Sequence, residues 1–347
     1  MKRTMILTVA VWSTIAGAGW SIDAIIPNNA KTVLGHINGI TATTVSIQPM
    51  KTGEAQQDIP VNEIERITFE NSPDALTAAQ KSIINGEYEE ALTSLKKIGP
   101  DESNRREVLE EIAFSKAYCN AQLAMTGSED PLEAAKQMLA FLNNSPNSFH
   151  ALKAYEMIGD LLVNSGRFAK AQEYYAKLAQ APWPDYKIRA QVALGRAFLA
   201  EKKIPEAAKS FKDALQINAA GPLADMQRAA AQIGQARCLA MSGNADKAVA
   251  DLEQIVSRND NNAETAALAN NALGVALRKA GKPKEAILAF LHVHLQYAAQ
   301  PDAHAEAVAN LAKLFADTQK PDHARDMRKI LDTAYVNSRW AKPGAVE

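Results

Sequence analysis

The feature that most constrains this chain is a recurrence of small residues at near-constant spacing along its C-terminal three quarters. Gly159 and Gly195 stand 36 residues apart, and Ala236, Gly274 and Ala312 continue the series at intervals that drift up to 41. Each is followed by a turn signal and then a second small residue: Gly166 and Ala171, Pro205 and Ala207, Gly243 and Ala248, Gly281 and Ala286, Pro321 and Ala324. Self-similarity at a period of this length marks stacked units that cannot bury an apolar face alone. A small residue on a first helix lets a second helix approach closely. Gly166, Gly243 and Gly281 supply the left-handed residue that ends the first helix, and the second small residue is the reciprocal contact. Tyr175, Phe211 and Phe290, a turn later, fill the gap toward the next unit. Weaker copies at Gly86 to Leu95 and from Ala117 through Ala134 bring the count to about seven helical hairpins over 73–335, with 336–347 a polar tail.

These spacings resemble the tetratricopeptide repeat, a helix-turn-helix unit of about 34 residues. No unit has the Trp common near the start of that motif, so the array is divergent. The resemblance implies a mainly α protein, an α-solenoid whose concave face is lined by the first helix of each hairpin and takes a protein or peptide. With the small residues as register marks, Arg189, Arg196, Arg237, Arg278 and Lys313 face inward, with Asn271 and Asn310 nearby. Arg196, Arg237 and Lys313 each follow a mark by one residue. Such a stripe suits an acidic segment or a C-terminal carboxylate, because guanidinium groups pair with carboxylates bidentately. The competing reading is a solvated face. The Lys/Asn pattern of carboxylate-clamp repeat domains is absent.

The chain before the repeats reads differently. Lys2 and Arg3 precede a mostly apolar run from Met5 to Trp20, and Ala16-Gly17-Ala18 has the small-x-small form that signal peptidases accept. Residues 1–24 therefore read as an export signal, with an uncleaved anchor or a buried first element as the alternatives. Residues 25–71 read as a small antiparallel β module, SH3- or Sm-like, that either closes as a barrel or packs on the following helices. Asn38-Gly39 between β-branched runs predicts a two-residue hairpin turn; further strands are expected around Asp58–Val61 and Glu65–Phe69. The order of signal, β module and repeats resembles exported planctomycete tetratricopeptide-repeat proteins, which implies a periplasmic or envelope location. No basic cluster interleaved with aromatics suggests RNA.

No catalytic constellation emerges, and no cofactor or metal is expected. Motifs for nucleophilic Ser, for phosphate loops and for zinc proteases are absent. His292 and His294, two apart on a helix, point about 200° apart and cannot share an ion; His304 and His323 read as isolated. Glu89-Glu90, Asp101-Glu102 and Glu110-Glu111 read as solvated pairs. Cys119 and Cys238 sit in non-adjacent units, which favours two buried free thiols over a disulfide. With 38 basic and 39 acidic residues in 347, the net charge of −1 gives no footprint for nucleic acid or anionic membrane. The residues thus point to a non-catalytic exported scaffold. The alternatives are a self-associating envelope component and, remotely, an enzyme with a dispersed site. Trp183, in Pro182-Trp183-Pro184, is expected to pack at a repeat junction.

Overall fold

The computed structural model describes residues 22–346 apart from 29, 52, 100, 260 and 261. Most of the segment read as an export signal, 1–21, lies outside them. Five strands come first: β1 (Asp23–Pro27), β2 (Val33–Ile40), β3 (Thr44–Pro49), β4 (Gln57–Pro60) and β5 (Ile64–Thr68), in the sheet order β4-β3-β2-β1-β5, all antiparallel. β1 starts two residues inside the stretch assigned to the signal: Asp23 and Ala24 are both buried in the sheet. A cut after Ala18 leaves this strand whole, whereas a cut after Ala24 removes its first two residues.

The Asn38-Gly39 turn is not where the chain reverses. β2 runs straight through it, and Ile37 pairs with Ile47 while Gly39 pairs with Ser46, so Asn38 is the extra residue of a β-bulge. The reversal comes at Thr41 to Thr44, where the Thr41 side-chain oxygen accepts from the amides of Thr43 and Thr44 and its own amide bonds the Thr44 carbonyl. A Thr hydroxyl able to satisfy the turn amides outcompeted the Asn-Gly pair.

The sheet packs on the helices and does not close on itself through its edges. Ile25, Val45, Ile47, Ile67 and Phe69 share one core with Leu76, Ala91, Leu95, Val108 and Ile112 of the first helices. Asp23, only 1% exposed, fastens the two layers together. Its carboxylate accepts from the amides of Ile37 and Glu70 and from both terminal nitrogens of Arg105, at 2.6 and 2.9 Å.

Fourteen helices follow among the described residues: α1 (Asp74–Ile84), α2 (Tyr88–Leu95), α3 (Arg106–Met125), α4 (Pro131–Asn144), α5 (Ala151–Asn164), α6 (Phe168–Leu178), α7 (Pro184–Ala200), α8 (Ile204–Gln216), α9 (Pro222–Met241), α10 (Ala245–Arg258), α11 (Ala263–Lys279), α12 (Pro283–Gln296), α13 (Pro301–Asp317) and α14 (Pro321–Ala334). They form seven hairpins, and every first helix stops on a left-handed residue. Five of these are glycines, from Gly86 to Gly281, and two are Lys202 (φ 63°) and Gln319 (φ 60°). The repeat register is built from rings against glycines. A Cβ on Gly159 would meet the Tyr175 ring at 2.3 Å, on Gly195 the Phe211 ring at 2.6 Å, and on Gly274 the Phe290 ring at 2.6 Å. Phe211 also covers Gly234 of the next hairpin.

Cys119 and Cys238 are buried free thiols, and burial pushes them up to about 12 and about 11. Trp183 packs at the junction of the sheet with α5 to α7, as expected of it. The tail is less polar in its role than in its composition. Tyr335, Trp340 and Ala341 are buried against α13, and the Trp340 indole N–H donates to Asp302 at 2.8 Å. The same segment returns to the early array: the Asn337 side chain donates to the Gly127 carbonyl, and the Arg339 amide to Asn164. No helix among the described residues is long and apolar enough to cross a membrane.

Candidate functional site

The first helices α1, α3, α5, α7, α9, α11 and α13 contact one another in succession and form the inner wall. Its two halves differ. α11 and α13 are buried on all faces over 269–272, 274–277 and 303–311, so little of them faces open space. The earlier half encloses a cavity of about 460 Å³ between α1, α3, α5, α7, α9 and the β5 edge. Phe114 and Tyr118 (α3), Ile83 and Ile84 (α1), Tyr186 (α7), and Leu223 and Met226 (α9) supply its apolar and aromatic surface. A second cavity of about 500 Å³ adjoins it; both are lined by Asn28, Asn62, Asp185 and Leu223.

Polar groups on these walls are tightly arranged. Glu111 is buried, accepting from Gln80 at 3.1 Å and meeting His150 Nε2 at 2.8 Å, while the His150 ring stacks on Phe114 with centroids 3.6 Å apart. It is therefore not one of a solvated pair. On α5, Glu156 is held by the Arg189 Nε–H and by Lys153 Nζ at 3.3 Å. Burial pushes the Glu156 carboxyl up, but the Lys153 and Arg189 cations more than reverse this and hold it at about 2. One turn on, burial and the nearby Glu156 charge raise Asp160, which accepts from the Tyr175 hydroxyl at 2.6 Å.

The seven inward-facing residues are thus divided. Arg189 lines the cavity but is paired with Glu156. Arg196 is open to solvent yet surrounded by protein in the bore; burial would lower its pKa, and the Asp160, Tyr175, Glu264 and Glu156 charges raise it. It has no ion-pair partner within 4.0 Å among the described residues. Arg237 reaches across α11 to Glu306 of α13, 2.5 Å away and 3% exposed. Asn271 and Asn310 are corrected from groove-facing to interior: both are at most 2% exposed, with Asn271 donating to the Ala303 carbonyl and Asn310 to the Glu306 carbonyl. Lys313 pairs with Asp317 a turn away at 3.4 Å, and Arg278 lies half-buried near the end of α11. A continuous cationic stripe is therefore not present, because buried carboxylates at Glu156 and Glu306, four first helices apart, neutralise two of its members. One residue past Ala117 and Gly159, the same register gives Tyr118, which lines the cavity, and Asp160, which accepts from the Tyr175 hydroxyl.

His304 is not isolated. It is buried, with Nε2 2.7 Å from His294 Nδ1 and Nδ1 2.5 Å from the Tyr335 hydroxyl, and its ring stacks on that of His294. His323 lies against Phe315. His292 meets Tyr297 edge-on and takes no part.

A family model described as tetratricopeptide repeat matches residues 156–225 and 235–304. The helical part of this chain is an α-solenoid of tetratricopeptide-like hairpins. Among solved structures it is similar to a Rap protein complexed with competence and sporulation factor, at 16% identity over 77% of each chain with a TM-score of 0.52. It is also similar to a tetratricopeptide repeat protein from Parabacteroides merdae, at 14% identity over 77% of this chain and 96% of that one, TM-score 0.50. At these identities the likeness is one of fold. No curated protein matches the chain. The fold is that of a protein–protein interaction scaffold.

Proposed function

We propose that this protein is an exported, non-catalytic scaffold that captures a protein or peptide segment in the first half of its groove. The observation that carries the reading is the open cavity bounded by five successive first helices and a sheet edge, lined by aromatic and aliphatic side chains with a few fixed polar groups. Arg196, exposed in the bore beyond it, is placed to receive a single carboxylate of the bound segment. Export rests on the basic, apolar and small-x-small character of residues 2–18.

Affinity capture from the envelope fraction with the full chain tests this. A partner bound one to one should be lost with Arg196→Glu and kept when Leu288 on α12 is changed to Glu. Arg196 is the better reporter than Arg237, because reversing Arg237 would strand the buried Glu306 charge. Retention of the partner at full strength with Arg196→Glu removes the carboxylate assignment. Loss of all capture with variants of the cavity wall, such as Tyr118→Arg, would still support the groove.

A structural, self-associating role is the second reading. Leu288 and Leu295, seven apart on α12, are 66% and 69% exposed and share a face. If that face joins copies, sedimentation mass should rise with concentration and fall back in a Leu288→Glu/Leu295→Glu variant.

A further inference from the structure

We infer that the segment captured by the groove adds to the sheet as a sixth strand along β5, in extended form and uncharged over that stretch. This rests on the groove reading and specifies the conformation of its ligand.

β5 is an edge: it pairs with β1 and, among the described residues, with no strand on its other side. The direction of its backbone groups follows from the ladders. Leu34 accepts from the Met50 amide, so Leu34 faces β3 and its neighbours Val33 and Gly35 face β1. These occupy Ile25 and Asp23, leaving Ala24 and Ile26 to pair with Thr68 and Arg66 of β5. Ile67, between those two, therefore directs its N–H and C=O away from β1. No hydrogen bond from elsewhere in the described chain reaches them. At Glu65 the pairing with β1 breaks in a bulge, as Ile26 opposes Arg66 but Pro27 opposes Ile64. A bulge bends a strand and re-aims it, and here the residues on either side of it, Ile64 to Arg66, line the cavity.

Three further observations select the occupant. Asn62, at the entry to β5, lines both cavities, and its buried side-chain oxygen has no hydrogen-bond partner among the described residues. A peptide N–H passing there would supply one. The charges around the first cavity balance, with Glu65, Glu111 and Asp185 against Arg66, Lys153 and Arg189. Glu111, Lys153 and Arg189 are also engaged with their own partners, so nothing there draws a charged strand. Finally, the wall facing β5 is apolar and aromatic, the surface that takes alternate side chains of an added strand while the main chain supplies the hydrogen bonds.

The test uses the full-length chain and a fluorescent nine-residue peptide alternating valine and threonine, blocked at both ends. Anisotropy should show saturable binding at one peptide per chain. N-methylation of every second residue removes only the amides on one side of the strand. One methylated set should weaken binding by about tenfold or more and the other by less than about twofold. Ile84→Glu and Leu223→Glu, at exposed positions of the cavity wall, should each weaken it about tenfold. Equal sensitivity to both methylated sets, or no binding, overturns strand addition. So does a peptide-competed doubling of mass, which would make β5 a seam between two copies. If the natural partner still depends on Arg196 while the peptide shows no alternation, the groove stands and the strand falls.

Discussion

Asn337 donates its side-chain amide to the carbonyl oxygen of Gly127 at 3.1 Å, although 210 residues separate them. The contact is possible because Gly127 has φ 87° and no side chain: a Cβ there would stand 2.8 Å from the Tyr335 Cα. One turn of the solenoid thus brings the last hairpin's exit onto the second hairpin's bend.

Gly127→Ala should therefore detach residues 335–341 from α3 and α4. Left-handed strain and the collision together cost about 2–3 kcal/mol. Hydrogen exchange of the amides in 335–341 should accelerate while α7 to α10 stay protected; unchanged exchange would mean the two segments do not meet.

At the repeat interfaces, Gly159→Leu should lower stability by several kcal/mol, about 3 or more, since even a Cβ overlaps the Tyr175 ring. An unaltered thermal midpoint would refute this register.

Gln319→Gly should act in the opposite direction. The other first helices end mostly on glycine, and Gln319 holds the same left-handed backbone with a side chain, which is strained. We expect a gain of about 1 kcal/mol, read as an upward shift of the thermal midpoint.

Asp23→Asn removes the charge that Arg105 and two amides converge on, and should destabilise the protein by about 3 kcal/mol. Those donors also hold the Asp23 carboxyl below its ordinary value against the opposing effect of burial. Because the folded pKa is depressed, this contribution is present above about pH 4 and is lost as pH falls further. Urea titrations at pH 7 and pH 3 should show the Asn variant losing less stability over that step than the parent does.

A second acid-sensitive element lies at the other end of the chain. Burial, aided by the neighbouring His294, lowers His304 from 6.5 to about 4. The unfolded chain binds this proton first, so stability falls as pH drops from about 6.5 to about 4, by about 3 kcal/mol in full. His304→Asn should flatten that part of the stability curve, measured by chemical denaturation across the same range.

The solenoid was legible because its determinants are local and repeated: a small residue, a left-handed stop and a ring recur at fixed offsets, and Tyr175, Phe211 and Phe290 sit where spacing put them. The groove was only half legible. Periodicity finds which side chains face inward, and it found Arg189, Arg196 and Arg237. It cannot show that Glu306, two first helices beyond Arg237, bends back to neutralise it, because that pairing depends on superhelical curvature. His304 and Tyr335 escaped for the same reason, being 31 residues apart and joined only by packing. At Asn38-Gly39 the local signal was present but a stronger local competitor, the Thr41 hydroxyl, lay three residues on.

The sheet and the tail sit at opposite ends of the helical stack. A solenoid normally exposes an apolar surface at each terminus, to which another copy can add. Here Ile25, Ile67 and Phe69 cover the first hairpin, while Tyr335 and Trp340 cover the last. Growth of this protein into a head-to-tail filament would first have to strip one of those covers. Any assembly it forms is thereby steered to the flanks and the bore, where copies meet side by side or through a shared ligand.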